Sequence, residues 1–297
     1  MTSIPEPIKR IVRKDAGFGC CKCGLPIIQY HHIVRRSSNP DDIMLLCPTH
    51  HHEATVGAML EKEQRNYREH PYNIERGYVE GQFKVNQETP VITVGNNQFI
   101  GYGNFLLVDD ENLLSIEIDE GVLQLSMKLY DKRDTLVADI ERNEWISGNP
   151  LPWDLESSFQ WLRIRRKLRD IQLEIDAREY PISIRANMWR KGQNFQIDPK
   201  ILLFNGVVKE AGLRNLCLVA LRLEVDTSKG KFSIAPDPRF GKGHIVAEHN
   251  IETRIKKGLK AWQELICKHE FITIINRKWY SVRECRKCNK LEKIWKS

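Results

Sequence analysis

Residues 20–55 read CCKCGLPIIQYHHIVRRSSNPDDIMLLCPTHHHEAT, and the reading of this stretch decides how the first quarter of the chain folds. Cys20-x-x-Cys23 is followed, after 23 intervening residues, by Cys47-x-x-His50. Two short-spaced pairs of soft or borderline ligands make a tetrahedral structural zinc pattern. In so small a module the metal substitutes for a missing core, because zinc binding energies of order ~10–16 kcal/mol become folding energy. Three histidines stand beside this quartet: His31 and His32 between the pairs, and His51 directly after the second. Neighbouring residues on a helix diverge by about 100°, so His50 and His51 cannot readily serve one ion. A second site is implied.

Outward from this stretch, residues 5–16 (PEPIKRIVRKDA) predict a short basic helix closed by Gly17 and Gly19. A second helix fits residues 49–69, stopped at His70-Pro71 because the residue before a proline is pushed out of the α region. Extended pieces, PIIQYHHIV and IMLLC, lie between them, giving the order helix, β-ribbon, helix. Adjacent residues of a regular strand face opposite sides. Hence His31 and His32 both line one site only at a strand end or distortion; otherwise one of them packs. His52 is expected in solvent, and Cys21 as a small buried hydrophobe. Arg35 and Arg36 are placed to meet phosphate or to be solvated.

The ordered elements CCKCG, YHHIV, DDIMLLC and PTHHHEAT resemble the HNH endonuclease family over residues 5 to about 72. That resemblance implies a ββα-metal module that cuts nucleic-acid phosphodiester bonds, DNA or RNA. By position, His32 would be the general base, His31 and His51 ligands of a catalytic ion, and Asp42 would stand where the family carries Asn, with Asn39 the other candidate for that task. The ion would be Mg²⁺ or Mn²⁺. His31, where many members carry Asp, softens the site so that Ni²⁺ or Zn²⁺ competes better, while Asp42 could restore the lost charge as a ligand. Failing both Asp42 and Asn39, the module would be a zinc-dependent nucleic-acid clamp that does not cut. Restriction, anti-phage defence or a mobile element is the setting the family suggests.

Beyond residue 88 the texture changes to short alternating runs such as LLSIEID, VLQLSMKLYD, IQLEIDA and ISIRA, separated by Gly, Asn and Asp, which is the strand signal. The sequence thus predicts an α+β protein: an HNH module over residues 1–80, an all-β accessory domain over 88–237, solenoid-like or a sandwich, and a basic segment over 238–297. The β-rich domain could select the substrate or hold a protein partner that releases a silent nuclease. In the last segment Cys267-x-His269 and Cys285-x-x-Cys288 bracket EFITIINRKWYSVRE, predicting either a second, ribbon-like structural Zn²⁺ site with nucleic-acid-binding character or a zinc-stapled cap. Cys217, in LCLVALRLEV, reads as core. The net charge of +7 suits a polyanionic partner, and the excess sits at the two ends. No apolar leader and no stretch approaching a membrane span is visible; with cysteines clustered beside histidines, the expected compartment is the cytoplasm.

Overall fold

A computed structural model describes residues 4–295 apart from 86, 88, 149, 209, 268–270, 277–279, 286 and 288–290; past residue 267 it describes the side chains of Cys285, Lys287 and Ile294 alone. The chain is mixed α and β, and mostly β. Helix α1 (Glu6–Asp15) starts with Pro7 in its first turn, where a missing N–H costs nothing. It stops where Gly17 takes φ +63°, and a Cβ there would stand 2.8 Å from Cβ of Asn73, so glycine is required both by the backbone and by the close approach. Strands β1 (Gln29–His32) and β2 (Ile43–Leu46) pair antiparallel, with His31 opposite Met44 and His32 opposite Ile43. All four residues of β2 are buried, since this strand sits at the centre of a small core with Val12, Ala16, Ala54 and Met59.

The single helix expected over 49–69 is two: α2 (Pro48–Thr55) and α3 (Glu61–Glu69). Gly57, at φ +79°, turns the chain between them, and the Glu63 carboxylate accepts the backbone N–H of Leu60 at 2.7 Å to start α3 afresh. A lone glycine inside a helical stretch is tolerated in many helices, and here its left-handed backbone ends one. A further short helix, α4 (Tyr72–Arg76), follows Pro71 and carries Asn73, which is buried and donates to the carbonyls of Gly17 (3.1 Å) and Gly24 (2.9 Å). That amide stitches the loop holding Cys20 and Cys23 to the end of the module.

Strand β3 (Tyr78–Gln82) follows at once and is the edge of an eight-stranded sheet, a strand that the sequence pattern did not mark. From the other edge this sheet runs Lys231–Pro236, Leu221–Asp226, Gly103–Val108, Glu111–Asp119, Val122–Tyr130, Leu136–Glu141, Glu144–Gly148 and β3. The second sheet has eleven strands, beginning at Asp154–Ser158. Its neighbours pair antiparallel, most of them through hairpins and Leu216–Val219 with His244–Ala247 across two strands of the other sheet, apart from two parallel pairings. This is the pairing of a sandwich or open barrel, not the stacked parallel turns of a solenoid. Alternate residues point inward, as in Val122–Tyr130 and Trp161–Lys167, and side chains from both sheets, among them Leu125, Met127, Ile164 and Ile184, join one core. Helix α5 (Ile251–Ile266) closes one end, with Trp262 against Val91, Ile100, Cys217 and Val219. Burial pushes the Cys217 thiol up to about 12. Past α5, three strands (Phe271–Asn276, Tyr280–Cys285, Leu291–Trp295) form a separate antiparallel sheet. No helix among the described residues is long and apolar enough to cross a membrane.

Module and sheets share a buried ionic joint. The Arg13 guanidinium, its side chain 5% exposed, donates to both carboxylate oxygens of Asp154, 3% exposed, at 2.9 Å each. It also donates to Tyr30 Oη (2.9 Å) and Glu6 (2.8 Å), and Arg165 reaches the same aspartate at 2.9 Å. Phe18 leaves the module to pack in the core of the sheets, and Ser157 donates to the carbonyl of Pro26. Taking one partner from a buried ion pair typically costs ~3–5 kcal/mol. Arg13→Ala is therefore expected to lower the unfolding free energy by about that amount in chemical denaturation. A loss below about 1 kcal/mol would mean that water already screens the pair.

Candidate metal centre and histidine pair

The loop after α1 turns back on itself, with the Cys20 amide donating to Leu25 O at 2.9 Å and Gly24 donating to Cys20 O at 2.7 Å, and so points Cys20 and Cys23 the same way. Cys47 follows β2 directly and caps α2, and His50 lies in the first turn of that helix, whose start at Pro48 fixes its direction. The ligand atoms of Cys20, Cys23, Cys47 and His50 lie within 4.8 Å of one another, the only such cluster of three or more among the described residues. His50 Nδ1 is 3.3 Å from Sγ of Cys20 and of Cys47, and the Cys23 and Cys47 sulfurs are 4.0 Å apart. A zinc tetrahedron with 2.3 Å metal–sulfur bonds has edges of about 3.8 Å, so three sulfurs and one imidazole nitrogen of this spacing fit a metal ion such as zinc. The Cys20 thiol is pushed down to about 4, mainly by a hydrogen bond from Cys23, with the Cys47 amide and His50 also favouring its thiolate; Cys23 is correspondingly pushed up. Two adjacent thiolates repel, and a cation between them removes that cost. Cys21 stands apart: it is buried in the module core and its thiol is raised to about 12 by burial.

His51 points away from the quartet to meet His31, the ring centroids 5.3 Å apart and edge to face. His50 and His51 thus have different neighbours. His31 Nε2 is 3.1 Å from Gln64 Oε1, and the Gln64 amide nitrogen is spent donating to the Met59 carbonyl at 2.9 Å. The oxygen of Gln64 therefore accepts from His31 Nε2–H, which leaves Nδ1 as the lone-pair nitrogen. Burial first, then the charges of His51 and His32, hold His31 below the ordinary imidazole range, against the Gln64 contact. Gln64 carries no sequence signal; it reaches His31 because the break after α2 lets α3 return over the β-ribbon.

His32 follows His31 at the end of β1, half-buried; its Nδ1 has no exposed surface and no hydrogen-bond partner among the described residues. Asp42 is not gathered with His31 and His51. It lies in a short 3₁₀ turn, Pro40–Asp42, with Oδ2 accepting from Ser37 Oγ (2.7 Å) and Oδ1 from both Arg65 nitrogens (3.1 Å). The Ser37 hydroxyl and then Arg65 hold its carboxyl below the usual range. Asn39 caps the same turn, its side chain accepting from the Asp41 amide at 3.3 Å. Asp42 and Asn39 both brace the loop that follows the two histidines. Arg35, Arg36 and His52 are exposed.

In the C-terminal cluster, the sulfurs of Cys267 and Cys285 lie 3.6 Å apart, too far for a disulfide and close to one edge of a zinc tetrahedron. His269 and Cys288 lie outside the described residues, as do Lys268, Lys278, Trp279 and Arg286. No family model, no curated protein and no solved structure matches this chain.

The quartet and the Cys267–Cys285 pair set an expected metal content. Protein purified without added metal should carry close to two zinc ions per chain by elemental analysis, Cys47→Ala removing one and Cys285→Ala the other. A content of zero would discard both sites. A content that Cys285→Ala leaves unchanged would discard the second.

Proposed function

We propose that the N-terminal module is an HNH-type, metal-dependent endonuclease acting on DNA. The observation that carries this reading is the split of two adjacent histidines. His50 turns to the three cysteine sulfurs while His51 meets His31 from the β-ribbon, which puts an imidazole pair beside the ligand quartet. A divalent cation held by His31 and His51 would supply positive charge to a phosphate oxygen and to the departing 3′-oxygen. His31 is pre-set for this by Gln64, which fixes its tautomer. His32, next along the chain, takes the proton of the attacking water; Nδ1 is buried, so Nε2 accepts it. The Ser37–Asp42–Arg65 network holds the loop that leaves His32, the positioning task for which Asp42 stands in place of Asn. Arg35 and Arg36, exposed on that loop and in no ion pair among the described residues, would meet the phosphates on either side.

Neighbouring residues then separate structure from chemistry. His50→Ala should lower thermal stability and zinc content, whereas His51→Ala should leave both intact and stop plasmid nicking with Mg²⁺ or Mn²⁺. His32→Ala should cut ~10²–10⁴-fold more slowly and bind DNA as wild type does. Retained binding with no nicking by the wild-type protein under either ion would instead favour a non-cutting clamp. Normal nicking by both His32→Ala and His51→Ala would abandon the nuclease assignment.

A further inference from the structure

The joint between module and sheets opens into a cleft of about 810 Å³, lined by neither His31 nor His51, whose walls combine α1 with the first strands of the eleven-stranded sheet. Its floor is the ionic cluster of Arg13, Asp154, Glu156 and Arg165, in which Arg13 and Asp154 are almost wholly buried. The cleft holds five arginines against three carboxylates, a surplus of two positive charges. The carboxylates are already engaged: Arg13 takes Glu6 and Asp154, and Arg165 takes Asp154 and Glu156. Arg10, Arg169 and Arg185 remain, and none of the three is in an ion pair among the described residues.

Arg10 is not loose on the surface. Its guanidinium carbon sits 4.5 Å from the centre of the Trp153 ring, and a cation over a Trp face is attracted to it. A guanidinium backed by an aromatic ring offers both phosphate-binding donors and a planar surface for stacking. On the same wall Ile171 is half-buried, and Leu168 is 74% exposed at a turn with Arg169 at φ +63°, an apolar lip with nothing over it among the described residues. The volume is that of a small-molecule site, commonly ~300–1,000 Å³. An anion alone would use the arginines and leave the lip and the stacked pair idle.

We infer that this cleft binds a single nucleotide-sized ligand, an anionic phosphate joined to a planar ring, with Arg169 and Arg185 on the phosphate and the Trp153-backed Arg10 beside the ring. The inference does not depend on the nuclease reading, since no residue of the histidine pair lines the cleft.

Isothermal titration of the full-length protein tests it, with each of the four ribonucleoside 5′-monophosphates, inorganic phosphate and a short single-stranded DNA as probes. At least one mononucleotide should bind at one site per chain, and more tightly than inorganic phosphate. Arg185→Ala and Arg169→Ala, both at exposed side chains, should each weaken it by about tenfold. Trp153→Leu should weaken the nucleotide but not inorganic phosphate. His51→Ala should bind as wild type; loss of binding there would place the nucleotide in the ββα site and overturn the inference. Equal affinity for inorganic phosphate and nucleotides would also overturn it, as would no binding of any of the four. Tighter binding of the single-stranded DNA, lost in the same arginine variants, would replace a nucleotide pocket with a strand path.

Discussion

The convergence of four ligand atoms on one point governs the N-terminal module. Cys20 and Cys23 come from the loop after α1, Cys47 from the end of β2, and His50 from the first turn of α2, so one centre ties together three elements that otherwise share a core of about a dozen buried residues. A core of that size gives little more than the ordering of its own backbone costs, and an ion bonded at that centre would make up the difference. Because α2 is aimed by Pro48 and held by His50, the direction of His51 is fixed one residue later. His31 reaches it from the ribbon, whose register is set by the pairing of residues 29–32 with 43–46.

The second constraint is the buried pair of Arg13 and Asp154. A module held by zinc alone could swing on the sheets, yet here α1 sends a guanidinium into the edge of a β-sheet, and Phe18 follows it into the core. Burying such charges is costly unless they are well hydrogen-bonded, and Arg13 makes four such bonds, to Asp154, Tyr30 and Glu6, while Arg165 adds another to the aspartate. The same geometry leaves a cleft beside the joint, because α1 meets the sheet through long side chains and not through flush apolar packing. A ligand in that cleft would touch both bodies. Ligand binding at such a junction changes the relative stability of arrangements of the two bodies only through contacts that differ between them.

The elements differ in how far they could be read from the chain. The quartet was legible because two ligand pairs at short spacing need no long-range information: a Cys-x-x-Cys turn and a Cys-x-x-His helix start are local geometries. The divergence of His50 and His51 was likewise a matter of helical angle. The split of α2 from α3 was not legible, since a single glycine such as Gly57 is tolerated inside many helices and the Glu63 carboxylate caps the Leu60 amide only once the chain has turned. Gln64, Asn73 and Arg13 gave no signal either. Each is an ordinary polar residue on a helix, and its importance comes from what lies opposite: the His31 ring, two carbonyls of the cysteine loop, and an aspartate 141 positions away.

The strands show the same division. Alternation with a period of two marked runs such as Val122–Tyr130 and Trp161–Lys167, because a sheet with one buried face imposes that pattern on each strand by itself. It left open whether they stack as a solenoid or pair as hairpins in two sheets, since every strand presents the same alternation to either partner. By itself, then, the sequence determined the ligand quartet, the separation of His50 from His51 and the presence of a β-rich body. Only the tertiary structure decided the sheet order, the return of α3 over His31, the bracing of Asp42 and the ionic joint with its cleft. These depend on contacts between residues far apart in the chain, whose energies appear only once the intervening loops have closed.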